Sequence, residues 1–292
     1  MDRTKICSLI LIAIVLAGCG KSKKPLVVGS KNFTEQVVLG EIIAQHLEHR
    51  LQRKVDRKLN LGGTLLAYQA LQSGEISMYP EYTGTIESEI LKETASPDPA
   101  QVYERSRLEL LRQAEIVLLN PLGIDNTFAM VVRSSEAKRD HLTTLSQAAQ
   151  VKDGWKLGVG YEFQQRNDGL PALNVYRLPM SAPPRSMDLG LLYKALEQGQ
   201  VTMIAANATD GPLASPDLTV LEDDKKTFGS YQACIMVRQD MLADEPRLKP
   251  ALDELAGKFT NAVMRKLDAA VDIDHRQPAA VAAEFLAQAG LK

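Results

Sequence analysis

Seven residues of this chain carry a charge, a hydrogen-bonding group or a π-face at expected strand ends and helix starts: Lys31, Tyr82, Thr85, Phe128, Arg166, Asn207 and Tyr231. Aromatic faces attract a cationic head group, while cationic side chains and backbone N–H groups hold a carboxylate. Jointly the set suits a small zwitterion. Singly, each has an ordinary reading: surface charges for Lys31 and Arg166, core aromatics for Phe128 and Tyr231, a turn former for Asn207. The most informative stretch is residues 76–85, ISMYPEYTGT, where Tyr79 and Tyr82 bracket Pro80-Glu81. Its first residues are β-branched or long and apolar, which fits a half-buried strand. Proline cannot donate to a sheet ladder, so the strand is expected to stop at Tyr79. Tyr82 and Thr85 would then lie on a loop at a strand end, where open α/β sheets place ligands. We expect this loop to be one wall of a ligand cleft. A buried tyrosine pair with Thr85 as a helix N-cap fits the stretch equally well when it is taken alone.

Catalytic patterns find little purchase. Gly158-Val159-Gly160 lacks the third glycine of a dinucleotide loop, and neither a GxxxxGK[ST] phosphate loop nor a GxSxG elbow occurs. His46 and His49 sit one helical turn apart beside Glu48, a spacing open to a metal. A two-histidine site still needs further ligands, so the pair reads as a solvated helix face. Asp223 and Asp224 read as a solvated loop. We expect no catalytic residue, no metal and no cofactor, and so no enzyme.

A formal charge of −2 and the lack of a basic block with interleaved aromatics point away from nucleic acid. With 292 residues, 45% of them hydrophobic, the chain can bury a large core in one or two domains. At the N-terminus a short basic region precedes an apolar run over residues 6–17, too short for a bilayer span and suited to a secretory signal. The run ends in Leu16-Ala17-Gly18-Cys19, which resembles a bacterial lipoprotein processing site. By that resemblance residues 1–18 are a signal peptide, Cys19 is the lipidated first mature residue, and residues 19–25 are a tether. Cys7 leaves with the signal. Cys234 is then left without a disulfide partner and is expected in the core.

The elements that must position the seven residues alternate. Strands are expected at 26–29, 54–60, 76–79, 116–119, 127–132, 156–160, 201–205, 218–221 and 231–237. Helices are expected at 35–51, from 64 to about 72, at 100–114, 145–151 and 189–198, and over most of the chain from 244. Glycines 62 and 63 before a helix start leave N–H groups free for an anion, or simply make a tight turn. Such alternation argues for α/β with largely parallel sheets, and the turn signal near Pro121 suggests two lobes.

The segments GSKNFTEQ (29–36), LNLGGT (59–64), YPEYTGT (79–85), DNTF (125–128), EFQQR (162–166), DLGLLY (188–193), TDG (209–211), LEDDK (221–225) and YQA (231–233) resemble, in order, the glycine betaine/choline/carnitine-binding proteins of osmoprotectant ABC transporters. The likeness runs over nearly the whole mature chain. It implies a type II periplasmic-binding-protein fold, two α/β lobes joined by two crossovers and closing like a hinged clamp. Residues 26–125 with 231–292 would form lobe 1, and residues 126–230 lobe 2. Position by position, Tyr82 and Tyr231 match tyrosines of the box that holds a quaternary ammonium, and Lys31, Thr85 and Arg166 match residues that hold the carboxylate. Phe128 and Asn207 stand where the pattern has tyrosine. Phe128 keeps a π-face; Asn207 removes a wall, which opens the box to a larger betaine. The implied role is a membrane-anchored solute receptor, in the periplasm or at the cell surface, delivering glycine betaine or a related osmoprotectant to an ABC permease. Ergothioneine or another cationic amino-acid derivative is the alternative cargo, and a sensory lipoprotein without transport the alternative role.

Overall fold

In the computed structural model, which describes residues 24–93 and 98–292, the chain builds two five-stranded sheets. The expected signal peptide, Cys19 and most of the tether lie outside the described residues. The first sheet holds β1 (Leu26–Gly29), β2 (Val55–Lys58), β3 (Met78–Tyr82), β4 (Ile116–Leu118) and β10 (Ala233–Arg238), in the order β2-β1-β3-β10-β4. The second holds β5 (Phe128–Arg133), β6 (Leu157–Gly160), β7 (Arg185–Met187), β8 (Met203–Asn207) and β9 (Leu218–Leu221), in the order β7-β6-β8-β5-β9. The chain therefore leaves the first sheet after β4 and returns to it at β10.

The sheets are mixed rather than largely parallel. β1 runs parallel to β2 and β3, and β6 parallel to β7 and β8. β10 is antiparallel to β3 and β4, and β5 is antiparallel to β8 and β9. The cause is the crossovers. Strands followed by helices end at the cleft, as β3 ends at Tyr82 and β8 at Asn207. A strand entering from the opposite lobe starts at the cleft and must run the other way.

Both faces of each sheet are covered, in keeping with the alternation of side chains along a strand. Val28, Met78, Ile235 and Val237 pack under the helix Thr34–Leu51, whose Val38, Leu39, Ile42, Ile43 and Leu47 recur at helical spacing. That helix also packs on the C-terminal helix Pro278–Gln288 through Val281, Phe285 and Leu286. On the other face Val27, Tyr79, Cys234 and Met236 meet Ala67, Leu71 and Leu110. In the second sheet Met130, Val132, Val159 and Met203 face Trp155 and Phe163, while Val131, Ile204 and Ala206 face Leu192 and Leu196. Cys234 is in the core as expected, and burial pushes its thiol up from the ordinary value.

Two local expectations are corrected. The strand does not stop at Tyr79: Pro80 lies inside β3, opposite Ile235. The Thr83 N–H donates to Gln232 O, so by alternation the nitrogen of residue 80 faces away from β10. On that side pairing with β1 has already ended at Val28–Met78, so no ladder bond is lost. Tyr82 thus closes a strand, and Thr85 sits in the helical turn Thr83–Thr85 rather than on a loop. Nor is His46 on a solvated face. It is fully buried, with Nδ1 3.1 Å from Leu291 O and Nε2 2.8 Å from Ala251 O, tying its helix to the C-terminal segment; His49 alone is exposed.

Where the chain passes between the sheets, the two crossing segments are bonded to each other. The Asp125 carboxylate accepts from Tyr231 N and Ser230 Oγ, both at 2.7 Å. The Thr127 hydroxyl donates to Gly229 O at 3.0 Å, and Asn126 N donates to Tyr231 O at 3.0 Å.

Candidate functional site

Between the two sheets lies a cavity of about 350 Å³, and all seven residues singled out above line it. Lys31 follows β1, Tyr82 ends β3, and Thr85 occupies the turn beyond it. Phe128 opens β5 and Asn207 ends β8, directly opposite in register. Arg166 closes the short helix Tyr161–Gln165, and Tyr231 lies on the second crossing segment. Each therefore comes from the sheet edge that the other lobe faces. Gly84 belongs here for a steric reason: a Cβ on it would come within 2.8 Å of both Ser230 O and the Tyr231 ring. Only glycine lets that ring lie against the turn.

Both cations are already neutralised. Lys31 Nζ is 2.5 Å from Glu81 Oε1, with both side chains almost wholly buried, and it also donates to Thr64 Oγ1 at 3.4 Å. A buried pair of this kind is costly to break, about 3–5 kcal/mol when one partner is removed. Arg166 forms a fork on Asp168, Nε to Oδ1 at 2.8 Å and Nη2 to Oδ2 at 2.5 Å, while Nη1 donates to Thr85 Oγ1 at 3.2 Å. Asp168 also accepts from Tyr231 Oη at 2.6 Å and Ser88 Oγ at 2.8 Å. Burial alone would raise the Asp168 carboxyl, but its hydrogen bonds and the Arg166 charge hold it below the ordinary range. Both cationic groups rest on rings: Lys31 Nζ is 4.7 Å from the Tyr82 centroid, and Arg166 Cζ lies 5.5 Å from that of Phe128 and 5.8 Å from that of Tyr231.

Several lining residues escaped the sequence reading. Phe33 stacks on Tyr82 at 6.2 Å between centroids, and Phe163 meets Phe128 edge-on at 4.8 Å. Glu35, buried behind the box, accepts from Tyr82 Oη at 2.5 Å and Asn126 Nδ2 at 3.0 Å; burial raises its carboxyl above the ordinary value. The anion taken by the N-terminus of the helix Thr64–Gln72 is a side chain from the opposite lobe, with Thr64 N donating to Glu162 Oε1 at 2.8 Å. A side chain at Gly63 would collide with that carboxylate. The signal for these residues was their place inside GSKNFTEQ and EFQQR. Nothing in their types alone separated them from core aromatics and surface acids.

Chemically the arrangement offers π-faces and spare hydrogen-bond donors. Quaternary ammonium has no proton to donate, so it is held by π-faces and nearby negative charge. An ammonium has three donors and a guanidinium five. Two donors of Lys31 are taken, and one N–H on Arg166 Nη1 remains. The Thr85 hydroxyl, acting as acceptor to Arg166, keeps its own proton to give. Lys31, Arg166 and Thr85 thus each keep one donor on the cavity wall.

A family described as the substrate-binding domain of ABC-type glycine betaine transport systems matches residues 24–288. The chain is 32% identical over 294 residues to a glycine-betaine-binding protein of Pseudomonas aeruginosa, covering 96% of this chain and 93% of that one. It is 31% identical over 273 residues to the ergothioneine transport permease/ergothioneine binding protein EgtU of Helicobacter pylori, covering 92% of this chain but only 48% of that one, so it spans about half of that relative's length. Among solved structures, a glycine betaine/carnitine/choline ABC transporter chain superposes with a TM-score of 0.77 at 28% identity, covering 91% of this chain and 99% of the other.

Proposed function

Since the chain belongs to the family of substrate-binding domains of ABC-type glycine betaine transport systems, we propose that it is the extracytoplasmic receptor of an ABC importer for glycine betaine or a related quaternary ammonium solute. It hands its cargo to a membrane permease and carries out no chemistry. The lipid on Cys19 would keep it at the membrane, and residues 26–125 with 231–292 and residues 126–230 would be the two closing units. The observation that carries the reading is the convergence of Lys31, Tyr82, Thr85, Phe128, Arg166, Asn207 and Tyr231 on one cavity between two sheets.

In this reading the rings of Tyr82, Phe128 and Tyr231 receive the ammonium head, and Lys31, Thr85 and Arg166 receive the carboxylate. Glu81 and Asp168 have a part in it. Without them two fixed cations would lie on the same rings and repel a third; paired, each is close to neutral. The solute bridges residues of both lobes, so it stabilises their approach by its differential affinity for the closed arrangement.

Isothermal titration with glycine betaine, choline, carnitine and proline betaine tests the assignment. Saturable heat from at least one supports it; no heat from any, with the protein folded, removes it. Asn207 favours a second cargo, a betaine bulkier than trimethylglycine, because no third tyrosine closes that wall. The printed name of the Helicobacter relative is in keeping with such a cargo. A thermal-shift screen over betaines and amines separates the two, since a ligand that binds only the native state raises the melting temperature.

A further inference from the structure

The space around the site does not end at Asn207. A second cavity, of about 1190 Å³, lies on its far side, and Phe33, Leu189 and Asn207 belong to the walls of both. Glu35, Asp210, Asp268 and Asp272 line this chamber. Three of them are occupied. Glu35 takes Tyr82 and Asn126, Asp210 takes the Tyr193 hydroxyl at 2.9 Å and the Asn207 side-chain amide at 3.3 Å, and Asp272 takes the Thr34 hydroxyl at 2.6 Å.

Two carboxylate oxygens here are left over: Asp268, only 2% exposed, has no hydrogen-bond partner on Oδ1, and Glu35 has none on Oε2. Leaving a buried polar atom unsatisfied is unfavourable, and native structures rarely tolerate it without a reason. Arg265 Nε donates to Ala208 O at 2.7 Å and Arg133 pairs with Glu136, while Lys194 and His275 are the other basic side chains on the chamber's walls. Burial and the charges of Glu35, Asp210 and Asp272 hold the Asp268 carboxyl well above its ordinary range, and an entering cation would relieve that repulsion.

Resting on the betaine reading, we propose that the binding site continues past Asn207 into this acidic chamber and takes a betaine of a basic amino acid, whose side arm ends in a cation held by Asp268. Asn207 is the gate. Its short side chain is drawn to Asp210 and brings no ring of its own to the shared wall.

Two probes of one shape decide the matter. Nα-trimethyl-lysine carries the ammonium head, the carboxylate and a distal ammonium; the Nα-trimethyl betaine of 2-aminoheptanoate has a methyl group in place of that distal ammonium. Titrated into the wild-type protein, the lysine betaine is expected to bind at least tenfold tighter, and Asp268→Asn should bring the ratio towards one. Equal affinities in the wild type overturn the proposal, as does a ratio that survives in Asp268→Asn. Binding of glycine betaine with rejection of both long probes also overturns it, because the chamber is then closed. If glycine betaine fails as well, the proposal falls with the reading beneath it. The wild-type comparison needs no variant to fold.

Discussion

A tyrosine at position 207 would stand beside Phe128, its register partner across β5 and β8. A desolvated cation–π contact is worth up to ~2 kcal/mol, which is roughly a 10- to 30-fold change in affinity. Asn207→Tyr is therefore expected to tighten glycine betaine binding by about that factor in a titration, and an unchanged Kd would mean that position 207 is no wall of the box. A second residue-scale outcome concerns Asp268. An acid whose pKa is raised in the folded state holds its proton more tightly there, so stability falls as pH rises from the unfolded value near 4 through the folded one. Asp210, pushed up to about 6 by burial, acts in the same direction. Asp268→Asn loses no hydrogen bond at Oδ1 and removes the charge. It should raise the melting temperature at pH 7.5, by about 2–4 °C per kcal/mol for a chain of this size. That gain should shrink towards pH 4, and a gain independent of pH would contradict the linkage. At this scale the sequence was informative about Lys31, Tyr82, Arg166 and Tyr231 because charge and π-faces are visible in residue type. It was silent on Glu81 and Asp168, whose function is to neutralise a partner 50 residues or 2 residues away; pairing in space leaves no mark in spacing.

The helix Thr64–Gln72 shows the same lesson for elements. Glycines before its start were legible as an anion site, but the anion proves to be Glu162, brought in by the turn after β6. A carboxylate at a helix N-terminus contributes about 0.3–1 kcal/mol on the surface and up to ~2 when partly buried. Because this contact joins the lobes, Glu162→Ala should weaken ligand binding by roughly 3- to 30-fold, mostly through faster release. Stopped-flow dissociation checks it; an unaltered off-rate would show that the contact does not hold the lobes together. Most elements were legible through periodicity, from the helix Thr34–Leu51 to β9. The three-residue β7 was missed, since so short a strand carries no alternation. Pro80 misled because the rule against proline in sheets concerns the N–H, and here that position faces a side where pairing has ended. His46 misled because burial against the C-terminal segment is a long-range event.

In the whole molecule, the two sheets face each other across the cavity lined by the seven residues, and the segments joining them are bonded side by side through Asp125, Asn126 and Thr127. Hinged closure requires such crossing points to absorb the change in backbone angles. Alternating strands and helices signalled two α/β lobes, but the antiparallel entry of β5 and β10 could be read only from the path of the chain between them. The central claim is that π-faces from both lobes grip a positive charge. The most direct test compares glycine betaine with 3,3-dimethylbutyrate, its uncharged-head isostere with carbon in place of nitrogen, by titration calorimetry. The account predicts saturable binding of the betaine and at least tenfold weaker binding of the carbon analogue. Equal affinity for the two, or heat from neither, would contradict it.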